Sequence, residues 1–393
     1  MALLYGSSYQ IPGTSPGALI APADQPAGEA VLTLTRFDAH KVAEAQHVTP
    51  EECRGWLAEA AAAGQAVAGQ ESGSQEGDRK EPPPAGKHPD KHAGQPIFWL
   101  HVSGTPDADL ARRLQDSLGL HPLALEDVLN GGQRPKVELY DEHLFVVFTH
   151  ADYSGLDLRL FQTSLFLKGN LVISIDAGDD GLFRPVRERL SRGGKLRQLG
   201  PDYLLYALID LIVDHKFPLL ERMGAEIEDL ETDLLEDPPA DANRRLHRMK
   251  RHLLLLRRQQ WPEREVLNVL LRGDKDMGIG KKTLIYLRDS YDHAVQLMDL
   301  LETYREVVTE LQNALMLATS NRLNDIIRVL AVISVIFMPL TFIVGVYGMN
   351  FNPDAGWLNM PELGWAYGYP VVMIFMLGLT VGMLWFFRRR GWL

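Results

Sequence analysis

The sequence predicts an α/β domain in the aqueous phase, a long α-helical stalk and two C-terminal transmembrane helices. Three observations carry this reading. Residues 329–347 hold nineteen positions without a charged side chain, and residues 369–387 form a second such run. An α-helix needs roughly 20 apolar residues to cross a bilayer core. Ahead of the first run, Leu297, Leu300, Tyr304, Val307, Leu311, Leu315 and Ala318 recur at steps of three and four, with no proline before Pro339. That spacing is a coiled-coil-like seam on one continuous helix. Between residues 97 and 191, short β-type runs alternate with helical ones, as in a mixed sheet with helices on its faces.

Each element follows in chain order. Residues 1–29 are rich in Gly, Pro, Ala and Ser, so a mobile leader is expected. Residues 31–37 alternate like a strand. Thr49 reads as a helix N-cap, with Pro50 at the first helical position and Glu52 closing a capping box. That Ala-rich helix fades near Gly69. Residues 70–95 are polar, contain Pro82-Pro83-Pro84, and are expected to form a flexible insertion in which His88 and His92 are solvated. Residues 97–102, 144–148, 160–167 and 171–175 read as strands, and 108–118, 121–129 and 184–191 as helices. Gly169-Asn170 reads as a tight hairpin turn.

From Asp202 the chain is helical almost without interruption. Two arms meet at Pro238-Pro239. Residues 224–237 carry seven acidic side chains and no basic ones, and residues 244–258 carry seven Lys or Arg and no acidic ones. Folded back on each other, the arms neutralise one another; the functional alternative is an acidic surface that concentrates cations. Residues 273–280 break the helix. Gly278 to Thr283 has a superficial phosphate-loop look, but Lys275 stands where the spacing needs glycine and no strand leads in. The stalk and first span together predict a helix of some 65 residues, roughly 100 Å long.

The expected division is a leader at 1–29, a cytosolic α/β domain at 30–200 with its insertion at 70–95, a helical hairpin and stalk at 201–328, a first span at 329–350, an external loop at 351–368, a second span at 369–387 and a basic tail at 388–393. The net charge of −11 argues against a nucleic-acid partner, whose phosphates need clustered Lys and Arg, and fits a handler of cations. Cys53 is the single cysteine, so no intrachain disulfide is possible. Met1 to Tyr5 lacks the basic start of a secretory signal. HExxH, GxSxG, paired CxxC and Walker patterns are absent, which leaves a membrane-anchored enzyme without support.

Arg322 and Arg328 precede the first span and Arg388-Arg389-Arg390 follow the second, while the loop between holds only Asp354 and Glu362 as charges. The positive-inside rule puts both termini in the cytosol of a multi-pass cell-membrane protein. Two helices do not enclose an aqueous path, so a transporter of this design needs several copies. On the first span Asn324, Ile327, Ala331, Ser334, Met338, Thr341 and Gly345 share one stripe, suited to helix packing or to lining a pore. Gly378 and Gly382 form a GxxxG pair, expected to serve packing.

The first span ends in Tyr347-Gly348-Met349-Asn350. With Phe337 to Phe342, Met360-Pro361-Glu362-Leu363, Gln133 to Glu138, Pro185 to Arg189, Asp202 to Tyr206, Trp261-Pro262, Tyr291-Asp292-His293 and the closing basic cluster before Gly391-Trp392-Leu393, the chain from about residue 96 onward resembles the CorA-type magnesium and cobalt transport proteins. The resemblance implies a helical-funnel homopentamer in the lipid bilayer that passes Mg²⁺, with Co²⁺ and Ni²⁺ as further divalent cations. It implies a selectivity filter at Gly348, Met349 and Asn350, and pore-facing positions at Asn324, Leu330, Met338, Thr341 and Gly345. Amide and carbonyl oxygens suit a hydrated Mg²⁺, which gives up water reluctantly. Glu362 would concentrate cations at the entrance, and Asp354 would share that role in a loop, 352–359, longer than the family's usual link. Regulatory metal is implied at Asp127 beside Glu126 and at Asp289, with Asp210 in a second, outer-sphere site. No nucleotide or organic cofactor is implied: two charges crossing 100 mV gain on the order of 4–5 kcal/mol. The alternative within the superfamily is a zinc transporter with proton coupling.

Overall fold

A computed structural model describes residues 16, 17, 19, 30–58, 96–154, 157–178, 181–236, 238–273, 275–350, 352, 356 and 359–392. The insertion at 70–95, most of the leader and Asp354 lie outside the described residues. The chain divides into two compact units, one of residues 1–235 with 244–309 and one of residues 236–243 with 310–393.

The first unit is built on a seven-stranded sheet ordered β2-β1-β3-β7-β6-β5-β4. Its strands are β1 (Val31–Phe37), β2 (Val42–Gln46), β3 (Ile97–Ser103), β4 (Lys136–Tyr140), β5 (His143–Tyr153), β6 (Leu158–Lys168) and β7 (Leu171–Asp176). Only β3 and β7 run parallel, with Phe98 opposite Leu171; every other pair is antiparallel. β3 and β7 are central and buried almost throughout, which fits their mainly apolar sequences, interrupted by the buried His101, Ser174 and Asp176. β2 and β4 were not expected from the sequence. Both are five-residue edge strands with exposed or half-exposed charged positions, the usual protection of a sheet edge. Gly169, at φ 55°, makes the tight turn between β6 and β7.

Residues 50–58 form the helical segment α1. Its capping box closes reciprocally: the Glu52 N–H donates to Thr49 Oγ1 at 3.2 Å and the Thr49 N–H to Glu52 Oε2 at 2.7 Å. α2 (Ala108–Leu118) and α3 (Pro122–Asn130) cover one face of the sheet, burying Leu114 and Leu125 with Leu34, Leu100, Phe145 and Phe166. α4 (Arg184–Arg192) and the short α5 (Lys195–Gln198) precede α6 (Pro201–Asp214), a nearly fully buried helix that lies against β5, β6 and β7.

α7 (Lys216–Glu236) and α8 (Ala242–Arg272) are the two arms. Arg245 meets Asp233 at 3.0 Å across them, while Arg257 pairs with Glu302 of the next helix at 2.5 Å. At the root of the arms Lys216 and Glu263 form a fully buried ion pair. Gln260 Oε1 accepts from Lys216 at 3.1 Å, and Glu263 accepts from the Thr149 N–H at 3.0 Å. The pair thereby ties both arms to β5.

α9 (Lys281–Tyr347) is a single helix of 67 residues that passes through Pro339. Asp202 Oδ2 caps its start, accepting from the Gly280 N–H at 2.9 Å and the Thr283 hydroxyl at 2.5 Å. A carboxylate already fills the place where a bound phosphate would sit. Part of the coiled-coil-like seam finds its partners inside the chain. Leu297 and Leu311 are buried within the chain, together with Leu301 and Val308. Leu297 and Leu301 line a small internal gap with Leu219, Leu220 and Leu256 of the two arms. The upper part of the seam is therefore used by the chain's own core. α10 (Gly368–Arg389) ends the chain's regular structure.

Candidate functional site

Among the described residues two helices are long and apolar enough to cross a membrane: α9 through its C-terminal part, and α10. Within their unit, Val332 and Ile336 of α9 pack with Phe387 of α10, flanked by Leu340 and Met383. At 100° per residue, positions 332, 336 and 340 lie on one side of the helix. Ser334, Met338, Thr341 and Gly345 lie on the opposite side, and all are exposed in the single chain. Asn324 and Leu330 are exposed as well. A Cβ built on Gly345, Gly378 or Gly382 would touch nothing within 4 Å, so the expected GxxxG packing is not made inside the described chain.

The end of α9 is tightly turned. The Gly348 N–H donates to the Val344 carbonyl at 2.9 Å and the Met349 N–H to the Val346 carbonyl at 3.2 Å. Gly348 has no positive φ, so it is not the left-handed glycine that commonly closes a helix. The approach there is close: a Cβ would stand 3.2 Å from the Val344 carbonyl oxygen. Met349 and Asn350 follow, both exposed. Glu362 lies on a 3₁₀ turn, Pro361–Gly364, entered through Met360 at φ 47°. The Tyr347 hydroxyl donates to Glu362 Oε1 at 3.1 Å. Gly368 closes the loop, because a Cβ there would meet the Glu362 carbonyl oxygen at 2.4 Å.

A second constellation lies in the first unit. Asp210 and Asp214 of α6 and His293 of α9 bring one donor atom each within 4.8 Å of one another. The Ser290 hydroxyl donates to Asp210 at 2.8 Å, and His293 Nδ1 bonds Asp214 Oδ1 at 2.8 Å. Burial raises the Asp210 carboxyl above its ordinary value, with the Ser290 hydrogen bond pulling the other way. Burial alone would lower His293, but the Asp214 hydrogen bond and the charges of Asp214, Asp289 and Asp210 outweigh it and raise the imidazole. Two carboxylates and an imidazole suit a divalent ion, and the imidazole extends the range toward Co²⁺, Ni²⁺ and Zn²⁺.

Of the sequence-derived regulatory residues, Asp210 is in this cluster and the exposed Asp289 stands one turn before His293. Asp127 and Glu126 are on α3, outside the cluster. Asp127 pairs with Lys136 at 2.7 Å, and Lys136 also holds Glu138 at 2.7 Å. Burial raises the Asp127 carboxyl against the pull of Lys136. Asp214 and His293 were not among the expected candidate ligands. Their signal was present in the spacing: Asp210 and Asp214, and Asp289 and His293, are i,i+4 pairs, each on one helix face.

Comparison with known proteins adds an independent finding. A family described as CorA-like Mg²⁺ transporter protein matches residues 94–389. The chain is 43% identical to the cobalt/magnesium transport protein CorA of Thermotoga maritima, over 75% of this chain and 83% of that protein. It is 25% identical to the protein of the same name from Methanocaldococcus jannaschii, over 76% of this chain and 92% of that protein. The complete structure of the M. jannaschii CorA magnesium transporter superposes with a TM-score of 0.70 at 19% identity, covering 92% of this chain and 98% of that one. This last likeness is one of fold.

Proposed function

Because the chain belongs to the CorA-like Mg²⁺ transporter protein family, a family of transporters and not of enzymes, we propose that it passes Mg²⁺ into the cytosol down the electrochemical gradient, with Co²⁺ and Ni²⁺ as further cargo. The observation that carries this reading is the division of the membrane part of α9. One face packs on α10 through Val332 and Ile336. The opposite face is open, with Ser334, Thr341 and Gly345 polar or small and Met338 among them, and the exposed Asn350 follows just beyond the end of the helix. Five copies with that face inward would line one path. Residues 329–350 and 369–387 then span the membrane, 351–368 face outward and both termini are cytosolic.

In this reading Asn350 and the Gly348 and Met349 backbone receive Mg²⁺ with its water shell. Neutral oxygens accept hydrogen bonds from the coordinated waters without holding the ion as carboxylates would. Asp354 and Glu362 raise the cation concentration at the entrance. Leu330 and Met338 form apolar constrictions that close by dewetting, and Asn324 a polar ring at the cytosolic mouth. Regulation belongs to the cytosolic unit. Asp127 and Glu126 of one copy face Asp289 of the next across a shared ion, and Asp210 contributes beside it with Asp214 and His293. A bound cation screens carboxylates that otherwise repel, so its loss biases the assembly toward open states.

The test is Mg²⁺ uptake into proteoliposomes under an inside-negative potential, comparing wild type with Asn350→Ala. Uptake by wild type that falls to the background leak in the variant, with assembly intact, supports channel and filter together. Unchanged uptake in the variant sinks Asn350 as the filter. Zinc entry under a pH gradient, with no Mg²⁺ entry, would replace the reading with the zinc-transport alternative.

A further inference from the structure

Between the end of α9, the 3₁₀ turn and the start of α10 lies a cavity of about 460 Å³. Its wall includes the aromatic residues Tyr347, Trp365 and Tyr369, Glu362 as the one carboxylate among the described residues, and apolar Val344 and Met373. Its frame is set by backbone. Gly368 approaches the Glu362 carbonyl too closely for any side chain, and Met360 takes a left-handed conformation at the entry to the turn. The Tyr347 hydroxyl holds the Glu362 carboxylate in place at 3.1 Å.

The chemistry of this wall selects its occupant. Electron-rich ring faces beside a carboxylate attract a large, weakly hydrated cation. A divalent metal ion is a poor match. Mg²⁺ keeps several waters and wants a shell of oxygens, whereas here one carboxylate already accepts a tyrosine hydroxyl and the rest of the wall is mainly apolar. A phospholipid headgroup is also a poor match. It brings a phosphate with its ammonium, and no Lys, Arg or His occurs anywhere between Arg328 and Arg388 to receive it. The volume is in the range of small-molecule sites. We propose that this cavity binds a monovalent organic ammonium ion without an anionic group, its cationic head between Glu362 and the rings of Tyr347, Trp365 and Tyr369. Gly348 also lines the cavity, so the occupant would lie directly behind the residues of the proposed filter.

Equilibrium dialysis of benzyltrimethylammonium against the purified full-length assembly in detergent tests this without reading transport, so its failure leaves the channel proposal untouched. Saturable binding is expected. Glu362→Gln should weaken it about tenfold or more, by loss of a close charge pair in a half-dry site. Trp365→Leu should weaken it about fivefold, the scale of one cation–π contact. Tyr347→Phe keeps the ring and frees the carboxylate, so affinity should hold or rise. Neopentylbenzene, the uncharged isostere, should not compete. Equal competition by the isostere, or undiminished binding in Glu362→Gln, overturns the proposal. So does displacement of the probe by one equivalent of phosphatidylethanolamine, which would make the cavity a lipid site. If Glu362→Gln does not assemble, Trp365→Leu and the isostere decide the matter.

Discussion

The two halves of α9 are one helix in two solvents. In its first half Leu297 and Val308 are fully buried and Leu301 is 3% exposed. In its second half Met338 is 70% and Phe342 72% exposed. No break in the backbone separates them. The first half finds its partners in the chain's own α7 and α8. The second finds one thin seam, Val332 and Ile336 against Phe387, and leaves the rest of its apolar surface unmatched. Apolar area left in water costs about 25 cal/mol per Å², so this surface calls for apolar surroundings that the single chain does not supply, as lipid and the proposed further copies would. The contrast separates what the single chain stabilises by itself from what it leaves to its surroundings.

The sharpest way to test that separation is to damage the self-sufficient unit alone. Lys216 and Glu263 are fully buried and paired. Lys216→Met strands the Glu263 charge, and breaking a buried pair from one side costs about 3–5 kcal/mol. The loss should appear as a large drop in the thermal midpoint of the purified full-length protein. Lys216→Met combined with Glu263→Leu should recover most of it, because a matched apolar pair carries no desolvation penalty. A single variant as stable as wild type would show that the pair does not tie the arms to β5.

A matched pair of leucine truncations on the same helix breaks the comparison more finely. Leu301→Ala opens a cavity inside the chain and should cost about 2–5 kcal/mol in denaturant unfolding of the first unit. Leu330→Ala removes a side chain that is 59% exposed in the single chain, and should change that unfolding by no more than about 0.5 kcal/mol. Its expected effect is on ion leak under high cytosolic Mg²⁺, through the constriction proposed for it. Equal stability losses in the two variants would erase the distinction between the halves.

How much of this could be read from the sequence depends on how local the determinant is. The capping box at Thr49 and Glu52, the Gly169-Asn170 turn and the charge-free runs are set by neighbours within a few residues, and each was legible. β2 and β4 were not, because their polar sequences become strands only through a partner: Lys136 lies opposite Val147, and Val42 opposite Phe37. The seam misled for the opposite reason. Its apolar period was right, yet nothing in a linear pattern says whether Leu297 faces α7 and α8 or another copy. At the candidate site, Asp210 was named from the family resemblance, and the structure added Asp214 and His293, which meet only when α6 and α9 pack. Asp127 carried a further surprise in Lys136, nine residues on, whose ammonium pairs with one oxygen of its carboxylate.

The smallest effect expected is the most specific to the candidate metal cluster. Asp214, Asp210 and Asp289 together raise the His293 imidazole above 6.5 against the opposing effect of burial, while Phe217 meets its ring edge-on at 5.7 Å. A raised folded value means that the protonated histidine stabilises the metal-free protein. That contribution is complete below pH 6.5 and is lost as pH rises through the folded value. The His293 side chain is 34% exposed and Asp214 43%, so screening keeps the gain below about 1 kcal/mol. Metal binding should run the other way, since the ligand nitrogen must first lose its proton. Between pH 6 and pH 8 the thermal midpoint of metal-free protein should therefore fall slightly while Co²⁺ affinity rises, and His293→Gln should flatten both slopes. If His293→Gln leaves the Co²⁺ slope intact, the imidazole is a surface partner of Asp214 and not a ligand, and the cluster reduces to its two carboxylates.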